Sequence, residues 1–247
     1  MSYRMWRKSQ PFVSTEGKRG FFDLSYGAKS EKQKLDIWLP EKGDGPFPVI
    51  ISIHGGGYLA LMGSLCEKEE YFDIEEDENR LVPAKVTGCV AWYPLVDIGT
   101  AERQLKMNSI INRDLFGPSL DESPEYEEAF PLLHEDEFPF YEVKDGMKER
   151  FLGAEASKED EKRADAKTYL HKGMPPIFIQ HGSRDEIVPM QQSLEFALAA
   201  EEIAGNNWGR IEIIPEAIHS SVLLETKENL KKVFDFIDEI NKNQMNV

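Results

Sequence analysis

An α/β fold with a mostly parallel sheet is what this 247-residue sequence predicts. Three observations lead there. Short runs of β-branched and aromatic residues recur along the chain, with helical patterns between them. Forty per cent of the residues are hydrophobic and 11% aromatic, enough for a core, which excludes wholesale disorder. The length suits one large domain or two small ones at roughly 150 residues each, and residues 1–247 read as a single domain.

Residues 34–39 (KLDIWL) alternate polar and apolar, as a half-buried strand does. Residues 49–53 (VIISI) follow a Gly-Pro-Phe-Pro loop and read as a buried central strand. Residues 58–65 (YLALMGSL) are apolar almost throughout and predict a short buried helix. The stretch 67–79 carries Glu75, Glu76, Asp77 and Glu78 in a row and reads as a solvated loop. Residues 86–93 (VTGCVAWY) and 177–180 (IFIQ) repeat the buried-strand pattern, and 211–214 (IEII) is a shorter last strand. Between them, 101–173 is long, acidic and rich in aromatics with no clear strand, so it reads as an irregular cap or lid. Residues 191–204 predict a helix capped by Gly205. In the closing helix Leu230, Val233, Phe234, Ile237 and Ile240 form one apolar stripe.

Charge narrows the function classes. Twenty-nine basic against 45 acidic residues leave −16, which disfavours binding to phosphate backbones. Two cysteines, Cys66 and Cys89, make no disulfide scaffold and no C-x-x-C zinc pattern, so neither metal nor cofactor is expected. No apolar run approaches the ~20 residues of a membrane span, and MSYRMWRKSQPF lacks the apolar core of a secretory signal. The expectation is a cytoplasmic protein that touches neither nucleic acid nor membrane.

Three motifs could carry chemistry. His54-Gly55-Gly56-Gly57 follows a strand-like run, and its glycines leave N–H groups free to stabilise an oxyanion. By itself it is also a plain glycine turn or a phosphate loop. His181-Gly182-Ser183-Arg184-Asp185 again follows a strand, placing Asp185 where open α/β sheets bind ligands. By composition alone Asp185 reads first as closing a turn or capping the helix that begins near Met190. Ala217-Ile218-His219-Ser220-Ser221 lies between the last strand and the last helix. His219 there is a candidate general base, or an exposed loop histidine. Acid then histidine, 34 residues apart, is the order found in α/β-hydrolases.

With these residues together the chain resembles the α/β-hydrolase superfamily, and within it the small bacterial His-Gly-Gly-Gly esterases of acetyl- or feruloyl-esterase type. The segments QKLDIWLPE, PVIISIHGGGY, VAWYPLVD, HGSRDEIVPMQQSLEFA and AIHSS through FDFIDEI carry the likeness. The resemblance implies Asp185 as the triad acid, His219 as the base, and His54, Gly55, Gly56 and Gly57 as the oxyanion loop. The substrate it implies is a small acyl ester, including acetylated or feruloylated carbohydrate.

The likeness breaks at the nucleophile. No G-x-S-x-G elbow exists: Gly182-Ser183 and Gly117-Pro118-Ser119-Leu120-Asp121 both lack the closing glycine. By this resemblance two β-α units are missing, with the oxyanion glycines joined directly to the helix that normally follows the elbow. On that join His54 occupies the nucleophile position, and an imidazole can form acyl intermediates. Ser52, Ser64 and Cys66 are further candidates without support from spacing. The expected architecture is a shortened α/β-hydrolase fold of about six strands, with 101–173 as the cap. Exposed apolar surface is expected near Val49, Ile51 and Trp92, and a homodimer would compensate for lost burial. Two other readings stay open: an inactive remnant or small-molecule binder, and a relative of the prolyl-oligopeptidase-type peptidases, which share the HG-x-x-D-x-x-VP turn.

Overall fold

The computed structural model describes residues 19–26, 30–42, 47–53, 56–66, 85–115 and 147–245. The acidic run 67–79, His54, Gly55 and the central part of the expected cap, 116–146, lie outside the described residues. Contacts divide the chain into two units, Met1–Ser52 and Ile53–Val247.

In the first unit β1 (Arg19–Ser25) pairs antiparallel with β2 (Lys34–Leu39). The ladder slips between Phe21 and Leu24, and Asp23 there adopts φ 54°, its N–H donating to Asp36 Oδ1 at 2.9 Å. The alternation in 34–39 does make a strand, yet Leu35, Ile37 and Trp38 are all exposed. Residues 49–53 depart further from expectation. They enter neither sheet, although the 82% and 74% exposure of Val49 and Ile51 is the exposed apolar surface expected there. A β-branched run becomes a strand only where a neighbour satisfies its N–H and C=O groups. None of the described strands does so. The described residues therefore hold five strands in two sheets, where about six in one sheet were expected.

The second unit is built on a parallel sheet. Its strands are β3 (Cys89–Trp92), β4 (Ile177–Gly182) and β5 (Gly209–Ile214), in the spatial order β3-β4-β5. The helices are α1 (Gly57–Leu65), α2 (Ile98–Leu115), α3 (Met147–Leu152), α4 (Lys158–Ala164), α5 (Gln191–Ala204) and α6 (Lys227–Met245). Residues 101–173 thus contain no strand among the described residues, but they are more helical than an irregular cap.

Side-chain alternation sorts the helices into layers. Cys89, Ala91, Ile177 and Ile179 pack with Leu61 and Leu65 of α1 and Phe196 and Ala200 of α5. Phe178 on the opposite face packs with Val233, Phe236 and Ile240 of α6, joined by Val90 and Trp92. Trp92 is half-buried and donates Nε1–H to Gln180 Oε1 at 2.9 Å, so it is not the exposed patch expected. Gly205 ends α5 at φ 64°, as its sequence position predicts.

The α6 stripe needs one correction. Phe236 is 4% exposed and central to the interface, whereas Phe234 is 53% exposed. At 100° per residue, 233, 236, 237 and 240 form the inward stripe and 234 falls on its rim. Phe236→Ala is expected to cost roughly 3–5 kcal/mol and Phe234→Ala under about 0.5 kcal/mol. Urea unfolding of the two variants checks this; equal losses would refute the assignment.

Candidate active site

Parallel pairing places the C-terminal ends of β3, β4 and β5 on one edge. Tyr93, Asp185 and His219 all follow those ends. Tyr93 leaves β3 at φ 40°, its N–H donating to the Gln180 carbonyl at 2.8 Å. The next residues are held by α5: Gln192 Oε1 accepts from the N–H groups of Val96 at 2.9 Å and Asp97 at 2.6 Å.

The turn carrying Asp185 and the loop carrying His219 are stitched together at Gly182. A Cβ there would collide with the carbonyl of Ala217. Because glycine stands there, the Arg184 N–H reaches that carbonyl at 3.0 Å, and the Ser183 N–H reaches the Ile214 carbonyl at 3.0 Å. Ser183 Oγ accepts from the Glu216 N–H at 2.9 Å. Glu216 and Ser220 both take left-handed φ values, 60° and 59°, so the loop bends sharply on either side of His219.

The result is a hydrogen bond between His219 Nδ1 and Asp185 Oδ2 of 2.9 Å. Asp185 is 1% exposed and His219 only half-buried. The other carboxylate oxygen, Oδ1, accepts from the N–H groups of Ile187 at 2.9 Å and Val188 at 2.7 Å. Burial alone would raise the Asp185 carboxyl. The charge of His219 and the hydrogen bonds of His181 and His219 outweigh it and bring the carboxyl down to about 2. Asp185 is therefore an ionised acceptor at neutral pH. In the neutral ring His219 Nδ1 carries the proton, which leaves Nε2 with the basic lone pair. The Tyr93 ring packs on the imidazole, centroids 4.4 Å apart and tilted by 55°.

Of the glycine loop, Gly56 caps the start of α1 and Gly57 opens it. A Cβ on Gly57 would strike the Trp92 carbonyl, so the start of α1 lies at the same edge of the sheet as Tyr93. Of the other nucleophile candidates, Ser52 is exposed, and Cys66 is half-buried just past the C-terminal end of α1. Ser64 Oγ donates to the Leu61 carbonyl at 2.7 Å inside α1. Burial pushes the Cys89 thiol up to about 11, against a smaller opposing effect of Ser64. Burial, then Tyr169, Cys66 and Asp165, push the Tyr58 phenol up to about 12, and its hydroxyl donates to the Ala164 carbonyl at 3.0 Å.

A cavity of about 190 Å³ lies between Tyr58, Leu95, Ile98, Phe151, Leu152 and Ala164. Leu95 and Ile98 also pack with Val188 of the acid turn. Tyr93, His181 and Gly182 are the site residues that motif reading did not assign. The signal for the last two was their position immediately before the acid turn.

No described helix is long and apolar enough to cross a membrane. No group of His, Cys, Asp and Glu among the described residues could hold a metal ion. No curated protein matches the chain. Among solved structures, a truncated carbohydrate esterase from gut microbiota aligns at 18% identity and TM-score 0.46, covering 76% of this chain and 57% of that one. An acetyl ester-xyloside bifunctional hydrolase from Caldicellulosiruptor lactoaceticus aligns at 19% and 0.46, covering 75% and 54%. An esterase from Thermogutta terrifontis aligns at 18% and 0.40, covering 74% and 50%. The chain spans about half the length of these three structures. The BD-FAE family model, of α/β-hydrolase type and feruloyl-esterase-like, matches residues 132–199, a segment that includes the acid turn with Asp185. That segment is where the chain is similar to the family.

Proposed function

We propose that this protein hydrolyses small acyl esters, with acetylated or feruloylated carbohydrate as the substrate class, and that Asp185 and His219 are its acid and general base. The 2.9 Å hydrogen bond between them carries the reading. Asp185 fixes the tautomer and orientation of the imidazole and compensates its charge when it is protonated. With no G-x-S-x-G serine in the sequence, the group that His219 activates is water. Nε2 takes a proton as the water oxygen bonds to the acyl carbon. The same proton passes to the leaving alkoxide as the ester C–O bond breaks. The N–H groups of Gly55, Gly56 and Gly57 would meet the oxyanion. The 190 Å³ cavity would take the acyl group, since a cavity of roughly 150 Å³ already holds a benzene ring.

Turnover of p-nitrophenyl acetate by the wild type and by His219→Ala tests the proposal. A general base contributes on the order of 10²–10⁴-fold, so a loss of at least about 10²-fold is expected. Equal rates would remove the enzyme reading and leave an inactive relative or binder.

A further inference from the structure

A second imidazole meets the same carboxylate. His181, next to last in β4, is fully buried. Its Nδ1 lies 2.6 Å from Ser193 Oγ, and its Nε2 lies 2.8 Å from the Val188 carbonyl oxygen. That Nε2 is also 3.3 Å from Asp185 Oδ2, the oxygen that accepts the His219 Nδ1–H.

A carbonyl and a carboxylate only accept, so His181 Nε2 must carry a proton. In the neutral ring Nδ1 is then the acceptor for the Ser193 hydroxyl. Ser193, His181 and Asp185 have the residue types of a hydrolytic triad, but Ser193 and His181 are 0% exposed and Asp185 1%, so no ester reaches that hydroxyl. The cluster faces inward and has a different use.

We propose that His181 is a positioning residue for the acid. Its Nε2–H, shared between the Val188 carbonyl and Asp185 Oδ2, clamps the 185–188 turn and holds the carboxylate in line with His219. Ser193 selects the tautomer that makes this possible. The inference rests on reading Asp185 and His219 as the acid–base pair. The groups that meet Asp185 are His181 from β4, the Ile187 and Val188 N–H groups of its own turn, and His219 from the loop after β5. The Arg184–Glu216 ion pair, 3.1 Å, lies beside them.

The test follows the Asp185 carboxyl by ¹³C NMR titration in the full chain. His181→Gln keeps an N–H donor at similar reach, and His181→Leu keeps bulk without one. The midpoint should stay near the wild-type value in the glutamine variant and rise by about one unit or more in the leucine variant. A leucine variant that loses thermal stability without moving that midpoint makes His181 a packing residue and overturns the proposal. Ring ¹⁵N shifts of His181 in the unmodified protein decide independently of whether the variants fold. A proton on Nε2 supports the clamp, and a ring protonated on Nδ1 alone refutes it. Because neither measurement reads catalysis, a clamp that behaves as expected in a protein that hydrolyses no ester keeps this inference and removes the proposed function.

Discussion

Asp185→Asn is expected to destabilise the protein by roughly 3–5 kcal/mol, the usual cost of breaking a buried charge pair by removing one partner. The carboxylate accepts from two backbone N–H groups through Oδ1 and meets two imidazoles through Oδ2. Asparagine offers one carbonyl oxygen and turns an NH₂ group toward donors. It therefore leaves buried N–H groups without an acceptor. The wild type should show the same linkage as a pH dependence. The Asp185 carboxyl is lowered from 3.8 to about 2 in the folded state. A depressed carboxyl stabilises above its unfolded value and loses that contribution as pH falls through its folded one. On the order of 2 kcal/mol is then fully present above about pH 4 and lost progressively towards pH 2 and below. Protonation costs less than the asparagine change because the neutral acid keeps both oxygens in place. Urea unfolding at pH 7 and through the acid range checks both parts. A variant as stable as the wild type at pH 7, or one showing the same acid loss, would refute the assignment.

Gly182→Val should separate the two halves of the candidate site. The new Cβ would occupy the space of the Ala217 carbonyl, which is backbone and cannot rotate away. The Arg184–Ala217 and Ser183–Ile214 backbone hydrogen bonds would open, and the loop carrying His219 would leave Asp185. Overpacking together with two lost hydrogen bonds costs roughly 2–5 kcal/mol. At this chain length that is a fall in Tm of about 5–15 °C. The downfield imidazole proton of the His219–Asp185 hydrogen bond should disappear with it. A valine variant that keeps its Tm and that resonance would show the glycine to be dispensable.

Local pattern was a good guide wherever the environment a run needs is supplied nearby. The alternation in KLDIWL produced β2, the apolar octet after Gly57 produced α1, and Gly205 ended α5. It failed at 49–53, where β-branched residues alone cannot make a strand without a ladder partner. It also misplaced the buried phenylalanine of α6: 234 and 236 flank Val233 and Ile237 from opposite sides of the helix, and spacing alone does not show which side meets the sheet. In 101–173 the sequence signalled a lack of strands, and the helices there were hidden by a polar, acidic composition.

The candidate site divides the same way. Asp185 and His219 were legible because each follows a strand-like run, and parallel strands bring the residues after them to one edge. The role of His181 was not legible, since a histidine inside a strand carries no mark of what its ring will meet.

The sequence by itself determined the α/β character of the main unit, the order of acid and histidine, and the lack of a serine elbow, because these depend on residue type and spacing along the chain. Only the tertiary structure decided which oxygen of Asp185 each imidazole meets, that Gly182 lets two loops close on each other, and that 49–53 stays out of the sheet. Those outcomes depend on distances between residues remote in sequence, set when β4 and β5 pair and the loops beyond them fold together.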